Sequence, residues 1–226
     1  MEKNFTVRLI PNSWAKPWIL YRHYARRMCS ISLAYGLLDE SNTLKGICTF
    51  GHPPTSQLKS KYVFEDFDVE VLELNRLAIE EGMDKNTLSY FVSSILRIME
   101  SPKCLISYAD GNQGHVGYIY QATNWIYTGI SSGQDFYEDS RNGTIYHPKT
   151  IVDKFGTRCL DKIPEYFIKH KEVSGKHRYF YFVGSKKQTK EMRKQFKYQI
   201  FPYPKGESRR YDFGKERKGK GFLYKV

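Results

Sequence analysis

Apolar and polar positions alternate from Phe5 to Ile10 and predict a short strand, after which Pro11-Asn12-Ser13 offers a turn and a cap. Trp14 to Arg26 then reads as a helix. Ile31 to Leu38 and Leu44 to Phe50 form two apolar runs around Asp39-Glu-Ser-Asn-Thr43, the pattern of a hairpin, and Gly51-His-Pro-Pro54 breaks the chain. Val69 to Ile79 is rich in β-branched and leucine residues and predicts a long strand entering the core. The clearest helix spans Asp84 to Met99, where Leu88, Phe91, Val92, Ile95, Leu96 and Met99 recur at the spacing of one buried stripe. Asn86 or Asp84 is its expected N-cap. Leu105 to Tyr108 reads as a strand, Gln113 to Thr123 as a short helix and Trp125 to Ile130 as another strand. The predicted order is β-α-β-β-β-α-β-α-β.

The pattern changes after Gly133. Gln134 to Lys176 is a polar region in which Pro148 to Phe155 and Leu160 to Phe167 resemble two short helices around Gly156-Thr157. That pair fits a helix-turn-helix-like element or a plain surface hairpin. Arg178 to Val183 has strand character, and Lys186 to Lys197 reads as a basic helix. The expected fold is α/β: a mixed, mostly antiparallel central sheet flanked by helices, with a helical insertion and a basic C-terminal extension. The boundaries drawn are 1–132 for a catalytic core, 133–177 for the insertion and 178–226 for the last core strand with its basic helix and tail.

Charge sharpens this picture. The 226 residues carry a formal net charge of +12, and from Gly184 onward 14 Lys and Arg face 4 Asp and Glu, so most of the excess lies in the last fifth. Lys186, Lys187, Arg193, Lys194, Arg209 and Arg210 are interleaved there with Phe196, Tyr198, Phe201, Tyr203, Tyr211 and Phe213. Such a segment suits phosphate contact with stacking on bases or sugars. The competing reading is a solvated basic face whose aromatics pack on the core. Cys29, Cys48, Cys104 and Cys159 are widely spaced without a Cys-x-x-Cys pair, which disfavours a zinc finger or a secreted disulfide framework. The N-terminus lacks an apolar signal core, and no run approaches the length of a membrane span, so the expected compartment is a reducing cytoplasm.

Polar groups gather where the strand at Leu105 ends, in the glycine-punctuated stretch Ala109-Asp-Gly-Asn-Gln-Gly-His-Val-Gly117. Open α/β sheets place ligands at such strand ends. A strand, a turn and a capped helix at residues 84–89 could likewise seat an anionic cofactor. In this strand order the arrangement is similar to the GNAT-type acyltransferase fold. The usual Arg/Gln-x-x-Gly-x-Gly/Ala loop is replaced here by Glu80-Glu-Gly-Met-Asp-Lys-Asn-Thr87, which argues against acyl-CoA. Neither an Asp/Asn-Pro-Pro-Tyr motif nor a strand-linked G-x-G-x-x-G supports a methyltransferase.

A narrower likeness rests on Glu73-Leu-Asn-Arg-Leu77, Asn86-Thr-Leu-Ser-Tyr90, Ile106-Ser-Tyr-Ala-Asp110, Gln113-Gly-His-Val-Gly117 and Ile119-Tyr-Gln-Ala-Thr-Asn-Trp125. Together they resemble the bacteriophage Mom family over roughly residues 5–205. The resemblance implies conversion of adenine in phage DNA to N6-carbamoylmethyladenine, which protects the DNA from host restriction. It also implies that Arg76 and Ser89 flank the donor site and that His23, Tyr24, Asp110 and Tyr120 form the reaction centre. Iron, with Asp110 and Tyr120 as candidate ligands, is implied by the same likeness. A carboxylate, a phenolate and an imidazole suit a hard or borderline metal, although no His-x-x-x-His or tight carboxylate cluster calls for one.

Each candidate also has an ordinary structural reading. Arg76 could pair with Glu73 or Glu80, Asp110 could make an Asx turn, Tyr120 could be a core aromatic and His23 a helix-surface residue. Ser89 could bond back to its own turn. The partners expected are double-stranded DNA and a small-molecule donor, with a homodimer left open and no membrane. The donor is acyl-CoA or a glycine-derived compound: simple acyl transfer leaves an N6-acyl group, whereas the implied product joins N6 to a methylene carbon. Two other functions fit the same residues, a conventional GNAT N-acyltransferase on a protein or small amine and a non-catalytic DNA-binding module.

Overall fold

The computed structural model describes residues 5–206 apart from 112–113, 134 and 172–174. These fall into two compact units, 5–129 with 177–206, and 130–176.

In the first unit, seven strands form one sheet in the order β1-β2-β3-β4-β5-β10-β6. They are β1 (Thr6–Leu9), β2 (Leu33–Leu38), β3 (Leu44–Gly51), β4 (Glu70–Ile79), β5 (Lys103–Ala109), β6 (Ile126–Ile130) and β10 (His177–Val183). The registered pairs are antiparallel except β4 with β5, which run parallel. The mixed, mostly antiparallel sheet with flanking helices is the fold class that the hydrophobic pattern predicts.

Strand alternation divides the core between the two faces of the sheet. Leu72, Leu74, Leu105 and Tyr179 pack with Phe91, Val92 and Ile95 of α3 (Thr87–Ile98). Their neighbours Val71, Cys104, Ile106, Phe180 and Phe182 pack instead with Val63, Phe64 and Met192. Val63 ends α2 (Ser60–Val63), and Met192 is the buried residue of α6 (Lys186–Gln195). Complete burial of Phe91, Val92 and Ile95 contributes about 1.5–3 kcal/mol per side chain, which outweighs the helix propensity of those residues. Ala15, Trp18 and Ile19 fill a third cluster against Ile10, Ala34 and Ile47.

Several local expectations are revised. The N-terminal helix is shorter and irregular: α1 (Asn12–Pro17) continues as a π-turn over Trp18–Arg22 and stops at His23. Pro17 explains the change, because it lacks an N–H and its ring crowds the preceding turn, so the helix widens and His23 N donates to Trp18 O. Asn86 is the N-cap of α3 as expected, but without a side-chain capping bond, and the Asp84 carbonyl accepts from Thr87 N. The helix expected over Gln113 to Thr123 is only α4 (Tyr118–Ala122), entered through Gly117 at φ +80°, where the Tyr179 ring leaves no room for a side chain.

The second unit corrects the expectation of a helical insertion. It is built on a three-stranded antiparallel sheet, β8-β7-β9, comprising β7 (Asp135–Asp139), β8 (Thr144–Tyr146) and β9 (Phe167–Lys171). One helix, α5 (Pro148–Phe155), covers it through Ile151, which packs with Tyr137, Ile163 and Phe167. Leu160 to Phe167 is not a helix: a single 3-10 turn at Leu160–Lys162 leads straight into β9, so no helix-turn-helix forms. Among the described residues no helix is long and apolar enough to cross a membrane.

Candidate active site

The site begins where β4 parts from β5 and bulges against β3. β4 pairs with β5 only from Glu70↔Lys103 to Glu73↔Ile106, although β4 runs on to Ile79 and β5 to Ala109. At the same level its register with β3 slips between Thr49↔Arg76 and Phe50↔Leu74, leaving Asn75 as the extra residue of a β-bulge. Bulges recur beside active sites because they re-aim side chains.

Backbone groups freed by the parting need new partners. Ser107 Oγ lies 2.8 Å from Leu74 O and 2.7 Å from Tyr120 Oη. A hydroxyl carries one proton, and a carbonyl can only accept. Ser107 therefore donates to Leu74 O, and the Tyr120 hydroxyl donates to Ser107. Burial pushes Tyr120 well above the ordinary phenol value, and its ring packs on Trp125 and Tyr179.

The bulge clamps the loop that follows the π-turn. Asn75 Oδ1 accepts from Thr49 Oγ1 at 2.6 Å and from Cys29 Sγ at 3.3 Å, while Nδ2 donates to Ser30 O at 2.8 Å. Arg76 donates from Nε and Nη2 to Arg27 O, and from Nη1 to Asn75 O. Gly51 completes the clamp, since a side chain there would collide with the Ser30 carbonyl. These bonds fix a turn in which Arg26 N donates to His23 O and Ala25 N donates to His23 Nδ1.

That last bond decides the tautomer of His23. A ring nitrogen that accepts a backbone N–H carries no proton, so the neutral imidazole is protonated at Nε2. His23 is buried, 6% exposed, and desolvation lowers its pKa to about 3, helped by the positive Arg76 and by His115. It is a fixed hydrogen-bond donor and a poor base at neutral pH. Tyr24 lies against it, ring centroids 4.4 Å apart, and meets His115 edge-on at 6.1 Å. Burial also lowers the pKa of His115, against the opposing pull of Asp110. Asp110 itself follows the last residue of β5, and its carbonyl accepts from His115 N.

The structure thus brings together His23, Tyr24, Arg76 and, through His115, Asp110. Tyr120 flanks them from the core side, where Tyr24 and Glu73 both act on its titration. The surface reading of His23 is overturned by its burial. Arg76 spends its donors on main-chain carbonyls, while Glu80 pairs with Lys45 and Arg22. Ser89 Oγ donates to Asn86 O within its own helical turn. Lys186, Lys187, Arg193 and Lys194 are exposed on α6, whereas Arg209 and Arg210 lie outside the described residues. Phe196 and Tyr198 are half-buried against Phe180, so stacking on nucleic acid is not their role.

Asp110 and Tyr120 are a poor match for a resident metal. Tyr120 holds its proton and donates it to Ser107, and no group of three or more His, Cys, Asp or Glu among the described residues is arranged to hold an ion. Pattern reading missed Asn75, Thr49, Cys29 and Ser107, whose partners lie 13 to 46 positions away in sequence. Polar Asn75 and Arg76 within β4 are the local sign of the bulge.

The profile of the Mom protein family matches residues 4–205 of the chain. Over 212 residues the chain is 28% identical to a protein of Escherichia phage Mu named methylcarbamoylase Mom, covering 90% of this chain and 85% of that one. Among solved structures it is similar to a GNAT family N-acetyltransferase of Escherichia coli in complex with CoA, at a TM-score of 0.43 and 10% identity, covering 87% of this chain and 88% of that one. It is also similar to the spermidine N-acetyltransferase of Vibrio cholerae, at 0.43 and 7%, covering 79% and 95%.

Proposed function

Since the chain belongs to the Mom protein family, we propose that it is a DNA-modifying enzyme that places a carbamoylmethyl group on N6 of adenine. The substrate is double-stranded phage DNA inside a bacterial host, and the outcome is protection from restriction. The structural observation that carries this reading is the convergence of His23, Tyr24, His115 and Arg76 at the parting of β4 from β5.

The N6 amine is conjugated with the purine ring and weakly nucleophilic, and in a duplex it is paired inside the stack. The base must leave the stack first, at a cost of a few kcal/mol. Tyr24, lying against His23 and edge-on to His115, offers an aromatic face against which a planar base can rest. Transfer then forms a bond from N6 to the methylene carbon, breaks the bond from that carbon to the donor's leaving group, and releases one N6 proton. His23 Nε2–H is held ready to donate to the donor's leaving group, which takes up the electron pair of the breaking bond. Asp110, a carboxylate beside His115, takes the proton; His23, with so low a pKa, does not.

The donor is proposed to be glycine-derived rather than acyl-CoA. The turn before α3, Glu80-Glu-Gly-Met-Asp-Lys-Asn-Thr87, has a single glycine and no glycine-rich loop whose N–H groups would cradle a pyrophosphate. Phosphate contacts to the duplex are assigned to α6. Lys186 and Lys187 occupy its first turn, where cations oppose the helix dipole and cost about 0.3–1 kcal/mol each. The Ser185–Gln188 capping box offsets that cost, which points to a use for the charge other than helix stability.

Mass spectrometry of nucleosides from plasmid DNA recovered from cells expressing the chain tests the proposal. A carbamoylmethyl mass gain on deoxyadenosine, absent with Asp110→Ala, is the expected result. An acetyl gain on protein or small amines instead would assign a conventional acyltransferase. A biological effect that survives Asp110→Ala would assign a binding module.

A further inference from the structure

We infer that the segment from β1 to β2 is the face that opens the duplex, with Tyr21 as the side chain that enters the base stack while the target adenine turns into the site. This rests on DNA being the substrate. The segment has a composition unlike the rest of the chain: from Lys3 to Leu38 there is no Asp or Glu, against Lys3, Arg8, Lys16, Arg22, Arg26 and Arg27. It is also where large apolar groups stand in solvent. Trp14 is 43% exposed and Met28 38%, and Tyr21, at 68%, is the most exposed large hydrophobic side chain among the described residues.

The π-turn ties this surface to the chemistry. Trp18, Ile19 and His23 point inward and are buried, while Tyr21 and Arg22 point outward from the same turn. Only Arg22 stands between Tyr21 and His23 in the chain, so the exposed ring and the buried imidazole hang from one turn, with Tyr24 next along it. Cations are held at the surface along the same segment. The Arg22 guanidinium lies 4.4 Å from the Trp18 ring centroid and 3.5 Å from Glu80, and Arg8 lies 5.9 Å from that of Trp14. Lys16 and Met28 border a depression of about 280 Å³ beside the turn, together with Asn12, Ser13, Cys29 and Ile31.

Phosphate contacts alone fix a protein on a duplex but do not part its bases. Proteins that part base steps insert an apolar or aromatic wedge, which fills the space the stack gives up. An aromatic side chain exposed on the turn that carries His23, in a segment rich in cations, has the chemistry of such a wedge. An acidic or apolar protein partner would match the charge or the rings, but neither would explain their place beside His23.

The test uses the full chain and two labelled duplexes of one adenine-containing sequence, a central adenine facing thymine in one and an abasic site in the other. Fluorescence anisotropy gives the affinities. The wild type is expected to bind the abasic duplex more tightly, because extrusion there is already largely complete. Tyr21→Ala is expected to weaken binding to the paired duplex by about fivefold or more and to leave the abasic duplex within about twofold; Tyr21→Trp should retain both. Melting temperatures should be unchanged, as the side chain is exposed. Equal loss on both duplexes, no loss on either, or no wild-type preference overturns the inference. So does a change in oligomeric state without a change in DNA binding, which would assign the face to a protein contact. In cells, plasmid adenine modified by Tyr21→Ala at the wild-type level overturns the wedge and leaves the function standing. Unmodified plasmid from the wild type overturns the function itself.

Discussion

His23 shows how one buried side chain couples the site to pH. The unfolded chain titrates it near the ordinary 6.5, and the folded chain titrates it at about 3. Between those values the unfolded state binds a proton that the folded state refuses, so stability falls as the pH is lowered through that window. Above 6.5 the imidazole is neutral in both states and contributes no pH dependence. The slope from this residue reaches at most about 1.4 kcal/mol per pH unit. Urea denaturation of the wild type and His23→Gln at pH 7.5, 6.0 and 5.0 should therefore show a flatter profile for the variant. His115 and His177 are also pushed below the ordinary value by burial, but they remain in both proteins and largely cancel in the comparison. Parallel profiles would mean that His23 titrates alike in the folded and unfolded chains, and its assignment as a poor base at the site would lose its basis.

Among the elements, those with a strong period were legible in the sequence and those defined by pairing were not. The stripe of α3 and the apolar runs of β2, β3 and β4 report burial directly, because the helix buries one face and the strands lie inside the sheet. Asp135-Phe-Tyr-Glu-Asp139 and Thr144-Ile-Tyr146 are too short and too polar to show a period; they are strands because they pair with each other and with β9. The site follows the same logic. Its residues could be named from a resemblance, but the bulge at Asn75 and the bridge from Ser107 to Tyr120 arise from contacts distant in sequence. That bridge joins β5 to α4 and to the freed carbonyl of β4, so its members should act as a unit. Ser107→Ala strands both the Leu74 carbonyl and the Tyr120 hydroxyl and should cost about 1–3 kcal/mol. Tyr120→Phe should cost less, and the double variant should lose less than the sum of the singles. A denaturation cycle with strictly additive losses would show that the two hydroxyls are not bonded.

At the scale of the whole molecule, charge and chemistry occupy different parts of the chain, and salt separates their contributions. The exposed cations of α6, Lys186, Lys187, Lys190, Arg193 and Lys194, project from a helix held to the sheet by one buried residue, Met192. Lys197 follows them but lies 3.4 Å from Glu65 and is partly neutralised. Each phosphate neutralised by an unpaired cation releases counterion and adds roughly 0.9 to the slope of log K against log salt. If α6 holds the duplex, the variant Lys187→Glu, Lys190→Glu and Lys194→Glu should bind a generic duplex more weakly, with a salt slope shallower by about two to three. Its melting temperature should change little, because none of the three side chains is buried. Modified adenine in plasmid DNA should fall with the affinity, since the groups around His23 are untouched. An unchanged salt slope would move the phosphate contacts to the segment between β1 and β2, where Lys16 and Arg26 are exposed, or to residues 207–226. The same titration on Lys16→Glu with Arg26→Glu would then distinguish these two.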